Sequence, residues 1–281
     1  MSCWSTRDGT YACAARYKIL WIGDKNMVST TKSLLVSVCS ACVLGLGVSS
    51  AHAALGLVSG CTVISTPGSY SVVNNITARP TDLKSVGGSF PACILITADS
   101  VTLDLGGFTI SPPQGTFVTA YGVYAHNGND ETHGVLTKNG SITDFRSILG
   151  ISRGVSIEGS ADAVENLNVL RNDDGVLFDG GLNSATHVRA SSSGGRGFLC
   201  FGGGVSVRDS VAFNNGGNGI DLLACSGNSV VGNTAGQNGG TGITVACPSL
   251  VIENTASQNG AGDIVTDPSA SCTQANNNPA P

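Results

Sequence analysis

A glycine followed by an apolar residue recurs at Gly154-Val155, Gly175-Val176, Gly197-Phe198, Gly219-Ile220 and Gly242-Ile243, and Asp263-Ile264 continues the series. The steps are 21, 22, 22, 23 and 21 residues. A fixed period of this size marks a stacked repeat, because one such unit cannot bury its own apolar face and must lie against the next. Composition agrees: aromatic residues make up 5% of the chain, charged residues 12%, and glycine supplies 39 of 281 positions. A core built from such residues must pack in thin, regular layers.

Aligned on the repeat from residue 134 onward, the coils show columns of like residues. Asn215, Asn238 and Asn259 share one column with Ser193. Ala190, Ala212, Ala235 and Ala256 form another, and Val207, Val230 and Val251 a third. Coils stacked like strands of a sheet lie about 4.8 Å apart, so each column is a line of touching side chains. Asn at the turns then satisfies backbone groups and its own neighbours, while Ala and Val fill the interior. Between Cys61 and Ile110, short β-branched runs broken by Gly, Pro, Asn and Ser predict strands. A short capping helix fits only Thr81 to Val86.

The stretches Val101-Thr102-Leu103-Asp104-Leu105-Gly106-Gly107-Phe108-Thr109-Ile110 and Asn139-Gly140-Ser141-Ile142-Thr143-Asp144-Phe145, and the Asn-Gly-x-x-Gly-Ile pattern at Asn215 to Ile220 and Asn238 to Ile243, resemble the right-handed parallel β-helix proteins of the pectin-lyase-like class. The resemblance runs from about Cys61 to Val265. It implies an all-β, right-handed parallel β-helix, a solenoid of 21–23-residue coils with three parallel sheets, and dealings with polysaccharide. It implies no single reaction, since the fold also serves phage spikes and adhesins.

Lys32, the apolar run Ser33 to Val48 and Ala51-His52-Ala53 fit a secretory signal peptide at 27–53, with 1–26 upstream of the natural start at Met27. The expected order is then an N-terminal cap and first coils at 54–133, regular repeats at 134–265 and a polar tail at 266–281. A secreted or periplasmic chain from Ala54 carries nine Lys and Arg against 17 Asp and Glu, a net charge of −8, and no membrane span. This argues against a membrane-surface role, and no basic patch with interleaved aromatics points to nucleic acid. Oligomeric state is not legible.

Strand alternation after each repeat glycine turns Val155, Ile157, Val176, Phe178, Phe198, Cys200, Ile220, Leu222, Ile243 and Val245 inward. One outward row is Ser156, Leu177, Leu199, Asp221 and Thr244; the next is Glu158, Asp179, Phe201, Leu223 and Ala246. Glu158, Asp179 and Asp221 are thus candidate catalytic carboxylates, as acid and base or nucleophile in glycoside hydrolysis. No cofactor is predicted, although the same carboxylates would suit a Ca²⁺ ion. Leu177, Leu199, Phe201 and Arg196 are candidate substrate contacts. The alternative is a noncatalytic surface protein whose acids are solvated rim charges.

Other signals are weaker. Asn172-Asp173-Asp174-Gly175 is similar to an Asn-x-Asp-Gly element of polygalacturonases, but the Gly-His-Gly those enzymes carry is absent, and the element reads as a turn. His126 and His133 bracket Asp130 and Glu131 in a polar loop, a pairing that suits a transition metal or a general base. For a lyase, Arg153, Arg171, Arg189, Arg196 and Arg208 read as turn residues away from the Glu158 strand, with Arg196 the nearest to that face. Six cysteines remain after the signal segment. Aligning Ala224-Cys225 with Ala246-Cys247 favours a Cys225–Cys247 bridge, with Cys61–Cys93 stapling the cap; a rival set pairs Cys200 with Cys225 and Cys247 with Cys272.

Overall fold

The computed structural model describes residues 2–5, 11–14, 54–115, 118–128, 131–268 and 270–279. The expected signal segment, 27–53, lies outside them. Contacts divide the chain into units 1–50 and 51–281. In the first, Ser2–Ser5 pairs antiparallel with Tyr11–Ala14.

The second unit is a parallel β-helix. Its first sheet runs, in spatial and chain order alike, through Thr62–Ile64, Ala92–Ile96, Tyr121–Ala125, Arg153–Ser160, Asp174–Asp179, Phe198–Cys200, Ile220–Leu222, Ile243–Val245 and Ile264–Thr266, every neighbour parallel. Two further ladders climb beside it: Ser184–Thr186, Ser206–Arg208, Ser229–Val231 and Leu250–Ile252, and Arg189–Ser191, Val211–Phe213, Thr234–Gly236 and Thr255–Ser257. Register follows the sequence repeat, Val155 facing Val176, then Phe198, Ile220, Ile243 and Ile264. Among the described residues no helix forms. The stretch from Thr81 is turn and extended chain, with Lys84 bridging antiparallel to Ala92.

The inward residues predicted from the repeat are all fully buried, as are the Ala and Val columns. Asn215, Asn238 and Asn259 form a ladder. Asn238 Oδ1 accepts from Asn215 N at 3.1 Å and Asn215 Nδ2 at 3.0 Å, while its Nδ2 donates to Ala212 O at 3.1 Å and Asn259 Oδ1 at 2.9 Å. Asn233, Asn254 and Asn277 repeat the device one corner away. The ladder explains the repeat glycine. A Cβ at Gly219 would sit 2.5 Å from Gly242 O and 2.6 Å from Asn238 Nδ2, so only glycine lets the next coil and its amide approach.

Disulfides join Cys61 to Cys93, Cys200 to Cys225 and Cys247 to Cys272. The expected Cys225–Cys247 bridge does not form. Leu222 faces Val245, so the step between these coils is 23 residues. Cys247 therefore stands over Ala224 rather than over Cys225, and each cysteine pairs with one in the neighbouring coil on its other side.

Candidate functional site

The outward face of the first sheet carries its own small cluster, separate from the core: Ala92, Leu95, Tyr121 and Tyr124 are buried there with Val63 against them. The Phe90 ring adds to it, 5.2 Å from Tyr121. Tyr124 lies between the inward Val123 and Ala125 and turns outward by strand alternation, while Tyr121 joins the same cluster from the start of the strand.

From this cluster a continuous line of side chains crosses the sheet. The Arg153 guanidinium lies 5.1 Å from the centre of the Tyr121 ring and donates to a Tyr121 hydroxyl at 2.7 Å. Tyr121 meets Tyr124 edge-on at 5.0 Å, and Tyr124 stacks on His126 at 5.0 Å with planes 6° apart. His126 Nδ1 is 2.9 Å from Glu158 Oε2, both side chains partly exposed at 18% and 26%. The carboxylate accepts, so Nδ1 carries the proton and Nε2 is left as the basic atom. Burial, and then the hydrogen bond to Glu158, hold the Tyr124 hydroxyl well above the ordinary phenol range. Burial raises Tyr121 too, against the opposing charge of Arg153. Both phenols are therefore proton donors rather than bases near neutral pH. Arg153 Nε makes no hydrogen bond among the described residues.

A second line runs across the starts of three central strands. Asp174 Oδ1 accepts from Arg196 N at 2.7 Å, Arg196 Nε donates to Asp221 Oδ2 at 2.9 Å, and Asn218 Nδ2 reaches the same oxygen at 3.0 Å. Burial raises Asp174 above the usual carboxylate range, the neighbouring Arg196 pulling the other way.

The structure places the predicted residues unequally. Glu158 and Asp179 are register neighbours on adjacent strands. Glu158 is held by His126 and Tyr124, however, while the exposed side chain of Asp179 makes no ion pair or hydrogen bond among the described residues. Asp221 is tied to Arg196 and Asn218. Leu177 and Leu199 are buried at 1% and 4%, so the solvent-facing apolar surface is that of Phe201 and Leu223, each 52% exposed.

The two histidines do not converge: His133 Nδ1 meets Ser160 Oγ at 2.7 Å instead. Among the described residues no group of three or more His, Cys, Asp and Glu side chains is arranged to hold a metal ion. Arg153 corrects the expectation that its strand is not that of Glu158, since both belong to Arg153–Ser160. Tyr121 and Tyr124 escaped sequence reasoning altogether; the signal available was the alternation of Tyr124 and His126 with Val123 and Ala125, which turns the first two outward.

This fold and this outward-facing cluster define a solenoid with a polar and aromatic patch on one sheet. The sequence matches the family model described as right handed beta helix region over residues 93–278, well over half of the chain, and the protein belongs to that family. Among solved structures it is similar to the periplasmic alginate epimerase AlgG, at 13% identity and a TM-score of 0.53 over 78% of this chain and 70% of that one. It is also similar to the Dettilon tailspike protein (gp208), at 14% identity and a TM-score of 0.51 over 79% of this chain and 52% of that one. At these identities the likeness is one of fold. No curated protein matches the sequence.

Proposed function

We propose that this protein engages an acidic polysaccharide along the outward face of its first sheet and moves a proton on it at His126. The observation that carries the reading is the His126–Glu158 pair, 2.9 Å apart and open to solvent at the end of the Tyr124, Tyr121 and Arg153 line. A Glu-oriented imidazole is a general base at neutral pH. Arg153, with donors to spare, is a cation for a sugar carboxylate. In this reading His126 Nε2 takes the proton from the carbon bearing that carboxylate, and Arg153 offsets the charge that spreads into it. The electron pair then either takes a proton from water on the opposite face, inverting the carbon, or forms a double bond and expels the glycosidic oxygen, which takes its proton from water. The likeness to AlgG, an alginate epimerase, supports an acidic polysaccharide. A secreted or periplasmic location accords with three disulfides.

The test is a panel of acidic and neutral polysaccharides. Proton NMR reads inversion at the carboxylate-bearing carbon, and ultraviolet absorbance reads a new double bond. Turnover that His126→Gln abolishes supports the reading. Turnover that survives His126→Gln sinks it, as does activity confined to neutral polysaccharides. Binding without turnover on any substrate would favour a noncatalytic surface, a reading to which the mutual pairing of Arg196 and Asp221 lends support.

A further inference from the structure

A cleft of about 530 Å³ lies at another corner of the solenoid, between the 111–115 loop, with Pro112 and Pro113, and the turns that carry Asp144, Arg146 and Arg171. Its size falls within the range of about 300–1,000 Å³ usual for small-ligand sites. One wall is rigid. Arg171 grips Asp144 through two hydrogen bonds, Nε to Oδ1 at 2.7 Å and Nη2 to Oδ2 at 2.8 Å, which hold the Asp144 carboxyl below its ordinary range. Arg146 is different. Its Nε donates to Arg171 O at 2.9 Å and its Nη2 reaches Ser192 O at 3.5 Å, but it forms no ion pair among the described residues, and its Nη1 has no partner there. Two guanidinium groups thus face one carboxylate, a local excess of positive charge on a chain whose net charge is −5.

We propose that this cleft is a second saccharide site, apart from the His126 face, that takes a sugar bearing a carboxylate. Arg146 Nη1, and the Nη1 that Arg171 leaves free, supply donors for the carboxylate, and the Pro112-Pro113 wall offers an apolar side to the ring.

The experiment is isothermal titration in an Arg153→Gln background, which removes the cation of the His126 face, so that binding reads the cleft while turnover of the unmodified protein reads His126. The probes are a saturated oligogalacturonate, a neutral oligosaccharide of the same length and inorganic sulfate. The oligogalacturonate is expected to bind, to weaken with added salt, and to lose about tenfold or more in affinity on adding Arg146→Gln, the order expected for a charge-assisted contact. Arg146→Lys should fall between, because it keeps the charge and loses the planar fork. Absence of oligogalacturonate binding overturns the proposal, as does affinity unchanged by Arg146→Gln. Equal binding of the neutral oligosaccharide overturns it as well, and sulfate binding as tightly as the oligogalacturonate would make the cleft an ion site only.

Discussion

His126 and Glu158 meet at 2.9 Å although a whole coil of sequence separates them, because Ala125 and Ile157 are register partners and each strand's next residue turns outward beside the other. Two consequences are separable. His126→Gln removes the basic nitrogen, and general acid–base catalysis of this kind contributes about 10²- to 10⁴-fold, so kcat should fall by that order. Glu158→Gln keeps the shape and a hydrogen-bond acceptor but loses the charge that favours the Nδ1 proton, so a smaller fall is expected. Kinetics on the responsive substrate check both, with thermal melts to confirm that each variant folds. Equal losses in the two variants would mean that Glu158 acts on the substrate itself.

Phe201 lies two coils from Glu158 in the same outward row and is half exposed, which suits it to a sugar ring further along a bound chain. Aromatic contacts are worth about 0.5–1.5 kcal/mol, so Phe201→Ala should weaken binding of long oligosaccharides by about two- to tenfold and leave the shortest substrates and the melting temperature unchanged. KM measured against chain length tests this. A uniform loss at all lengths would place Phe201 outside the binding path.

The repeat was legible because stacking demands it. The close approach at Gly219 and the amide ladder at Asn238 restrict what can stand there, so Gly and Asn recur in most coils, Ser193 and Asp263 excepted, and announce the fold. The outward acids Glu158, Asp179 and Asp221 were legible as positions for the same reason. Their partners were not. Tyr121, Tyr124 and His126 precede the regular coils, where Val123 faces Val155 across a step eleven residues longer than the step that follows, so no column alignment reaches them. Cys61–Cys93 and the rival pairs Cys200–Cys225 and Cys247–Cys272 form, while the favoured Cys225–Cys247 pairing failed on a smaller irregularity, the single extra residue between Leu222 and Val245.

Asn238 lies in the middle of its ladder, and Asn238→Ala would leave Asn215 N and Ala212 O without their side-chain partners in a buried corner. Each such group costs about 1–3 kcal/mol. Urea unfolding should therefore show a lowered midpoint with little change in slope. Asn277→Ala, at the more exposed end of the parallel ladder, should cost less. A neutral result for Asn238→Ala would mean that water replaces the amide, and that the Asn column reflects turn conformation alone.

Asp162 gives the fold a pH dependence of unusual sign. It is 1% exposed, accepts from Val135 N at 2.7 Å and Thr132 Oγ1 at 3.0 Å, and burial pushes its carboxyl up to about 6. An unfolded aspartate titrates near 3.8, so between about pH 4 and 6 the folded state binds more protons than the unfolded one, and stability from this group declines as pH rises through that window. At about 1.4 kcal/mol per pKa unit the decline is on the order of 3 kcal/mol. Asp162→Asn removes the titration while its Oδ1 still accepts from Val135 N, and the Thr132 hydroxyl can turn to accept from the new amide. Thermal melts from pH 4 to 7 should show the wild type losing stability relative to Asp162→Asn as pH rises. A gap between the two proteins that stays constant over that range would show that Asp162 remains ionised throughout, with its hydrogen bonds outweighing burial.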